Sequence, residues 1–181
     1  MSNPKSDGVT SAGVKRLLVA GASKVLQSHG KKKNAGSVQV RVTRKAIDYA
    51  HEQVLELIRR LALQSVRTLK TAKRKTITKG MLISSLENLR ICGLGEDALF
   101  DTQSSSGKKE NMTVSGINRA FKAELGDFRT DASVKEALKS IANTFVVLLG
   151  SRGAEITAGS NRSTLSSSDV EAAVRLSYNK A

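Results

Sequence analysis

The chain has 181 residues, with 30 lysines and arginines against 16 aspartates and glutamates and a formal net charge of +14. A basic excess this large indicates a protein that binds a polyanion, and disfavours a basic protein that is merely soluble. Nucleic acid is the first candidate for the polyanion and an anionic membrane the second. The single cysteine, Cys92, excludes an internal disulfide, and the longest apolar run, residues 145–149, is far too short to span a membrane. These features are typical of a soluble intracellular protein.

The chain shows no pattern of a catalytic or metal site. The two histidines, His29 and His51, stand apart, and no nucleophile lies at a spacing that pairs it with a general base. We therefore expect no enzymatic activity, no metal, no cofactor and no small-molecule substrate. The positive charge is uneven, because residues 1–100 carry a net +12 and residues 101–181 only +2. The first half should therefore dominate a polyanion-binding surface.

The N-terminal residues 1–13 are polar and rich in serine, glycine and asparagine, which predicts a disordered tail. Apolar residues at helical spacing predict a helix over residues 14–28. A cationic loop follows at 30–36, and the alternation of apolar and polar residues at 38–42 predicts a short extended segment. Thr43 is a residue type that caps helices, so it should open the next one.

A first long helix is predicted from Arg44 to Ala72, because apolar residues recur every three or four positions along it. The polar loop 73–78 follows. Thr78 is placed to cap a short helix over residues 79–88. This order, a short helix, a loop, a long helix, a loop and a second short helix, defines one helical module.

The same order recurs after residues 92–113, where a Ser/Gly/Lys tract at 102–109 cannot bury enough apolar surface to order itself and predicts a linker. Gly150 and Gly153 lie inside the second long helix, where they mark a bend, a close helix crossing or an early helix end. The second set of elements is a helix over 115–125, an Asp131-capped long helix over 132–159, a loop at 161–166 and a helix over 168–178. The predicted domains are a tail at 1–13, modules at 14–91 and 114–181, and the linker at 92–113.

The two modules also share the chemistry of their second loops. Each sets a cation beside a hydroxyl, Arg74 with Thr76 in the first and Arg162 with Thr164 in the second. A guanidinium next to a hydroxyl group is a combination suited to phosphate oxygens.

These loops carry a resemblance to a known family. Residues 72–78, Ala-Lys-Arg-Lys-Thr-Ile-Thr, look like the second loop of histone four and that of histone two-B. Residues 161–165 together with 170–176 also look like a histone second loop and third helix. The chain therefore resembles the histone fold, and its arrangement resembles the histone doublets of large DNA viruses. The resemblance implies an all-α fold in which two histone folds in tandem form an intramolecular handshake pseudo-heterodimer.

Two viral orders, two-B with two-A and four with three, are compatible with these motifs. Residues 24–26 and 44–46 favour a two-B-like first half. A three-like second half would carry an extra N-terminal helix, for which the tract at 102–109 leaves little room, so we favour the two-B/two-A order. The chain departs from cellular histones in lacking a long lysine-rich tail, which puts tail-based modification in doubt.

The resemblance implies DNA contact where the first loop of one half meets the second loop of the other, and along the first short helices. Lysines and arginines would neutralise phosphates, hydroxyls would donate to phosphate oxygens, and no base would be read. Arg41 and Arg129 are candidates to enter the minor groove. The implied DNA-binding residues are Lys15, Arg16, Lys31, Lys32, Lys33, Arg41, Lys73, Arg74, Lys75, Thr76, Arg119, Lys122, Arg129, Thr130, Arg162, Ser163 and Thr164.

The implied function is sequence-nonspecific binding and wrapping of double-stranded DNA, which compacts a genome into nucleosome-like particles with a second doublet or another histone pair. The implied location is chromatin in the nucleus or, for a viral protein, the virion and the host nucleus or viral factory. A histone-fold subunit of a transcription-regulatory complex, acting through protein partners, is the alternative. Any single cation can instead be a solvated surface residue, Lys31 to Lys33 can form a basic arm, and Arg59 and Arg60 favour solvent or a protein partner over DNA.

Overall fold

The computed structural model describes residues 10–30, 40–94, 114–160 and 162–178. Helices dominate these residues, in agreement with the all-α expectation, and the four strands have two residues each. The elements in chain order are α1 (Ser11–Gly30), β1 (Arg41–Val42), α2 (Arg44–Thr71), β2 (Thr76–Ile77), α3 (Lys79–Asn88), α4 (Val114–Leu125), β3 (Arg129–Thr130), α5 (Ala132–Gly159), β4 (Thr164–Leu165) and α6 (Ser167–Tyr178).

The second set of elements repeats the first at a constant interval. The starts of β1 and β3, of α2 and α5, of β2 and β4, and of α3 and α6 are all the same number of residues apart. Both long helices have 28 residues. Each residue of one half therefore has a defined counterpart in the other, and Arg74 corresponds to Arg162.

The helix starts follow from local capping, as the sequence predicted. The side chain of Thr43 accepts the Ala46 N–H at the start of α2, at 3.2 Å. Thr78 caps α3 in the same way, and Asp131 accepts the Ser133 N–H at the start of α5. These bonds satisfy backbone donors that have no partner within the first helical turn, so they fix where each helix begins.

The N-terminal helix begins earlier than the sequence indicated. Thr10 caps α1, since its side chain and its carbonyl both accept the Gly13 N–H, so residues 11–13 belong to the helix rather than to a tail. The predicted tail at 1–9, the cationic Lys31 to Lys33 and most of the predicted linker, residues 95–113, lie outside the described residues.

The two halves interlock instead of folding side by side. Helix α1 of the first half packs along α5 of the second, and α4 packs against α2. The last helices bridge the halves, because α6 packs on both α5 and α2, and α3 packs on α2 and less extensively on α5. One apolar core results, to which both halves contribute. Its largest fully buried side chains include Leu18, Leu57, Ile58, Leu61, Leu82, Ile117, Phe121 and Phe145. The expected intramolecular handshake is the architecture observed.

Glycines allow α1 and α5 to approach each other closely. A Cβ atom on Gly150 would overlap the Leu18 carbonyl, and one on Gly21 would overlap the Val147 carbonyl. Helix α5 is continuous through this point. Of the three sequence interpretations of Gly150, a close helix crossing is therefore the observed one. Gly153 makes room for the Leu165 side chain, whose Cδ1 would lie 2.6 Å from an added Cβ.

Residues 91–94, at the end of the first half, are held against the second half by hydrogen bonds and packing. The Cys92 N–H donates to the Ser177 carbonyl at 2.9 Å. Arg152 of α5 donates to the Cys92 carbonyl at 3.1 Å and to the Ser177 hydroxyl at 2.6 Å, and Leu94 is buried. The first residues of the predicted linker are therefore packed, because apolar side chains and backbone bonds hold them. None of the described helices is long and apolar enough to cross a membrane.

Candidate nucleic-acid interface

Two short parallel strand pairs bring the loops of opposite halves together. Strand β2 pairs with β3, so that Thr76 lies beside Arg129, and β1 pairs with β4, so that Arg41 lies beside Thr164. We refer to residues 73–76 with 129–130 as the β2–β3 site, and to residues 41 and 162–164 as the β1–β4 site. Each site combines the first loop of one half with the second loop of the other, as the resemblance implied.

The β2–β3 site concentrates free positive charge. Lys73, Arg74, Lys75 and Arg129 are all exposed, and none has an ion-pair partner among the residues that the structure describes. The Arg129 N–H donates to the Lys75 carbonyl at 2.9 Å, which fixes the two loops against each other. A row of solvated cations on a backbone held in this way is suited to binding successive phosphates.

Backbone geometry sets how the cations leave helix α2. Lys73 has φ of 51°, a left-handed conformation that ends the helix. The Arg74 N–H then donates to the Leu69 carbonyl, and the hydroxyl-bearing Thr76 enters β2. The turn thus directs the loop outward immediately after a 28-residue helix. The cations are carried by a rigid element at one end and a strand pair at the other.

The β1–β4 site uses its corresponding arginine differently. Arg162 donates to Asp169 at 2.6 Å, and the Asp169 side chain is only 3% exposed against 44% for Arg162. Asp169 also accepts the N–H and the hydroxyl of Ser166, at 2.9 and 2.6 Å. Burial alone would raise the pKa of Asp169, but the hydrogen bonds from Ser166 and Arg162 outweigh it and hold that pKa below its ordinary value. Arg162 is thus committed to an internal carboxylate.

The remaining predicted cations lie on the first helix of each half. Lys15 and Arg16 are exposed on α1, where they line a shallow groove with Val19, and Arg119 and Lys122 are exposed on α4. The structure places these residues on helices next to the core, outside both strand pairs. Lys31, Lys32 and Lys33 belong to the undescribed segment that precedes β1.

The sequence analysis missed the role of Asp169. A signal was present, because Ser166 followed three residues later by Asp169 is the pattern of a capping box at the start of α6. Its pairing with Arg162, seven residues earlier, also tightens the loop. Among the described residues, no group of three or more histidine, cysteine, aspartate or glutamate side chains is placed to hold a metal ion. The exposed side chains of the β2–β3 and β1–β4 sites are cations and hydroxyls, which can donate hydrogen bonds to a ligand.

Comparison with known proteins identifies the fold. The crystal structure of the histone from Methanopyrus kandleri superimposes with a TM-score of 0.70, over 95% of this chain and 97% of that one. The sequences are 18% identical, so the likeness shows a histone fold and no closer relationship. No family sequence model matches the chain, and no curated protein sequence matches it.

Proposed function

We propose that this protein binds double-stranded DNA without sequence preference and wraps it into a nucleosome-like particle. The observation that carries the proposal is the β2–β3 site, where Lys73, Arg74, Lys75 and Arg129 converge from both halves without ion-pair partners among the described residues. Cations on a rigid frame neutralise phosphates and release counterions, which gives affinity without reading bases. The histone named in the structural comparison supports this direction, since its fold is shared.

Within this proposal the remaining cations extend the DNA path. Arg41 and Arg129 stand at the strand pairs and are candidates for the minor groove, and Lys15, Arg16, Arg119 and Lys122 would meet the backbone between the two sites. Ser163, Thr130 and Thr164 would donate hydroxyl hydrogen bonds to phosphates.

We further propose that residues 14–91 and 114–181 are the two halves of a doublet of the viral type, in the two-B/two-A order. A second copy or another histone pair would complete the particle, which would be found with the compacted genome. The interlocked core supports the doublet, because each long helix is covered in part by helices of the other half, α4 and α6 on α2 and α1 on α5.

Nuclease digestion of the protein–DNA complex tests wrapping. Protected fragments of discrete length are the expected result, and a continuous smear would mean that the protein only coats DNA. Titrations of two unrelated duplexes at several salt concentrations test nonspecific recognition. We expect affinities within a few-fold of each other and a steep linear fall of log affinity with log salt. A strong sequence preference or a shallow slope would contradict the proposal and favour action through protein partners.

A further inference from the structure

One surface that the DNA sites do not use is the outer ridge of α2. We define it by Glu52, Glu56, Arg59, Arg60, Leu63, Arg67 and Lys70, which recur every three or four residues and share one side of the helix. The ridge runs between α4 and α6. Arg59 approaches Glu124 of α4 at 4.0 Å, and the Arg60 guanidinium lies 5.1 Å above the Tyr178 ring of α6. From residue 52 to residue 70 it is about 27 Å long.

The charges of the outer ridge are segregated. Glu52 and Glu56 form an acidic end, and Arg67 and Lys70 form a basic end. In the middle, Glu56 and Arg60 already pair with each other at 2.7 Å. Glu52, Arg67 and Lys70 are exposed and have no ion-pair partner within the described parts of the chain. The unsatisfied charges therefore lie at opposite ends and have opposite signs.

An exposed leucine lies between these ends. Leu63 is 50% exposed, and it is one of two large apolar side chains, with Leu176, that the structure shows exposed in the described residues. A single exposed leucine is unremarkable on a surface. On this ridge, however, Leu63 lies beside Arg59 and Arg60, whose aliphatic stems can pack against it while Glu124 and Glu56 offset their charge. Leu63 and these stems form the centre of a contact whose charged ends lie on either side.

We infer that the outer ridge of α2 is a self-complementary surface that binds the same ridge of a second copy, antiparallel and across a two-fold axis. With the axis between Arg60 and Leu63, Glu52 of one copy faces Lys70 of the other, and the two Leu63 side chains lie within about one helical turn of each other. Both charged ends are then satisfied at once. DNA along the ridge would be repelled by Glu52 and Glu56, and an acidic protein would leave Glu52 unpaired.

We expect this contact between two copies to be weak, because its area is small and both copies carry a large positive charge. One helical ridge on each side buries less than the about 1,200 Å² of a stable interface, and a net charge of +14 on each copy opposes association. We therefore expect self-association at high micromolar protein, and a stronger effect when DNA holds several copies near one another. The inference deepens the proposed assembly with a second copy, and it is tested without DNA, so that its failure is separable from a failure of DNA binding.

The experiment exchanges charge at one end of the ridge at a time. Glu52→Lys with Glu56→Lys makes both ends of the ridge basic, and Arg67→Glu with Lys70→Glu makes both ends acidic; Arg59 and Arg60 in the middle stay unchanged in each. Sedimentation equilibrium of the full chain should show that each variant alone associates at least about tenfold more weakly than the wild type, because facing charges then repel. An equimolar mixture of the two variants should regain association, whatever the exact register.

Matched charge changes elsewhere serve as controls. Glu136→Lys with Glu155→Lys, and Lys135→Glu with Lys139→Glu, make the same net changes on α5 and should lack the recovery on mixing. Melting curves for all variants establish that they fold. The inference is overturned if the wild type stays monomeric at these concentrations, or if the mixture behaves like its separate components. It is also overturned if Arg67→Glu with Lys70→Glu leaves association unchanged and weakens DNA binding, because the basic end would then belong to the DNA path.

Discussion

The β2–β3 and β1–β4 sites have the same backbone and different electrostatics. In both, a two-residue strand after a long helix pairs with a strand from the other half, and the corresponding arginines are Arg74 and Arg162. Arg162 is bound by Asp169, whereas the residue corresponding to Asp169 in the first half is Met81, which offers no charge. The arginine at this position thus forms a stabilising ion pair in the second half, whereas its counterpart in the first half, Arg74, has no ion-pair partner among the described residues.

This difference between Arg74 and Arg162 affects how strongly each half attracts a polyanion. A cation paired with a buried carboxylate contributes less to the field outside the protein than an unpaired one. The first half has the larger charge excess, and the cations of its second loop have no ion-pair partner in the part of the chain that the structure describes. We expect the β2–β3 site to contribute more to DNA binding and the Arg162–Asp169 pair of the β1–β4 site to contribute more to the stability of the fold. Four changes test this division.

The largest effect should follow from replacing Lys73, Arg74 and Lys75 with alanine. Loss of three phosphate contacts flattens the slope of log affinity against log salt by about 2.7 and lowers the affinity about a hundredfold near physiological salt. Binding titrations at several salt concentrations measure both. Replacing Arg90, Lys135 and Arg175 with alanine removes equal charge elsewhere and should have a much smaller effect. An unchanged slope in a normally melting triple variant would show that this loop does not face DNA.

Next in size is the effect of Asp169→Asn on stability. The change removes a buried charge that Arg162 and Ser166 both bind, which should cost about 2 kcal/mol of unfolding free energy. Urea denaturation measures it. Glu171→Gln is a suitable control, because Glu171 forms an exposed pair with Arg175 on the same helix and should cost no more than about 0.5 kcal/mol. Equal losses of unfolding free energy in the two variants would mean that the burial of Asp169 adds no stability beyond that of an exposed ion pair.

Met81→Asp should make the first half resemble the second. The new carboxylate would lie where Asp169 lies in α6, capture Arg74 and accept the Thr78 N–H at the start of α3. DNA affinity should fall about tenfold, because one cation is lost and one anion gained near the phosphates. Met81→Asn provides the same size without charge and should leave binding nearly unchanged. If both variants bind DNA like the wild type, the freedom of Arg74 is unimportant for binding.

The smallest effect is the pH dependence of the Asp169 contribution. Because the pKa of Asp169 is lower in the folded state than the ordinary 3.8, its stabilisation is fully present above pH 3.8 and is lost as the pH falls below it. The difference in unfolding free energy between the wild type and Asp169→Asn should therefore be constant near neutrality and shrink in acid. A difference that grows on acidification would show that folding raises the pKa of Asp169 instead of lowering it.

Local features of this fold could be predicted from the sequence, and features that depend on distant residues could not. Thr43, Thr78 and Asp131 cap their helices through bonds two or three residues away, so their types and positions were sufficient. The close packing of α1 on α5 depends on Gly21 facing the Val147 carbonyl and Gly150 facing the Leu18 carbonyl across the fold, and the sequence left several interpretations of Gly150 open. The state of Arg162 could not be read from its loop, since its partner lies in the next helix.

The hydrogen bond from Ser151 to the Gly21 carbonyl joins residues 130 positions apart, at the crossing of α1 and α5. Contacts this distant in sequence make folding wait for most of the chain. During synthesis, α1 and α2 leave the ribosome long before the helices that cover them exist. The strand pairs of the β2–β3 and β1–β4 sites need the second half as well. We therefore expect a ribosome that stops after the first module to release a basic but unfolded chain, and the two candidate sites to form only when translation is nearly complete.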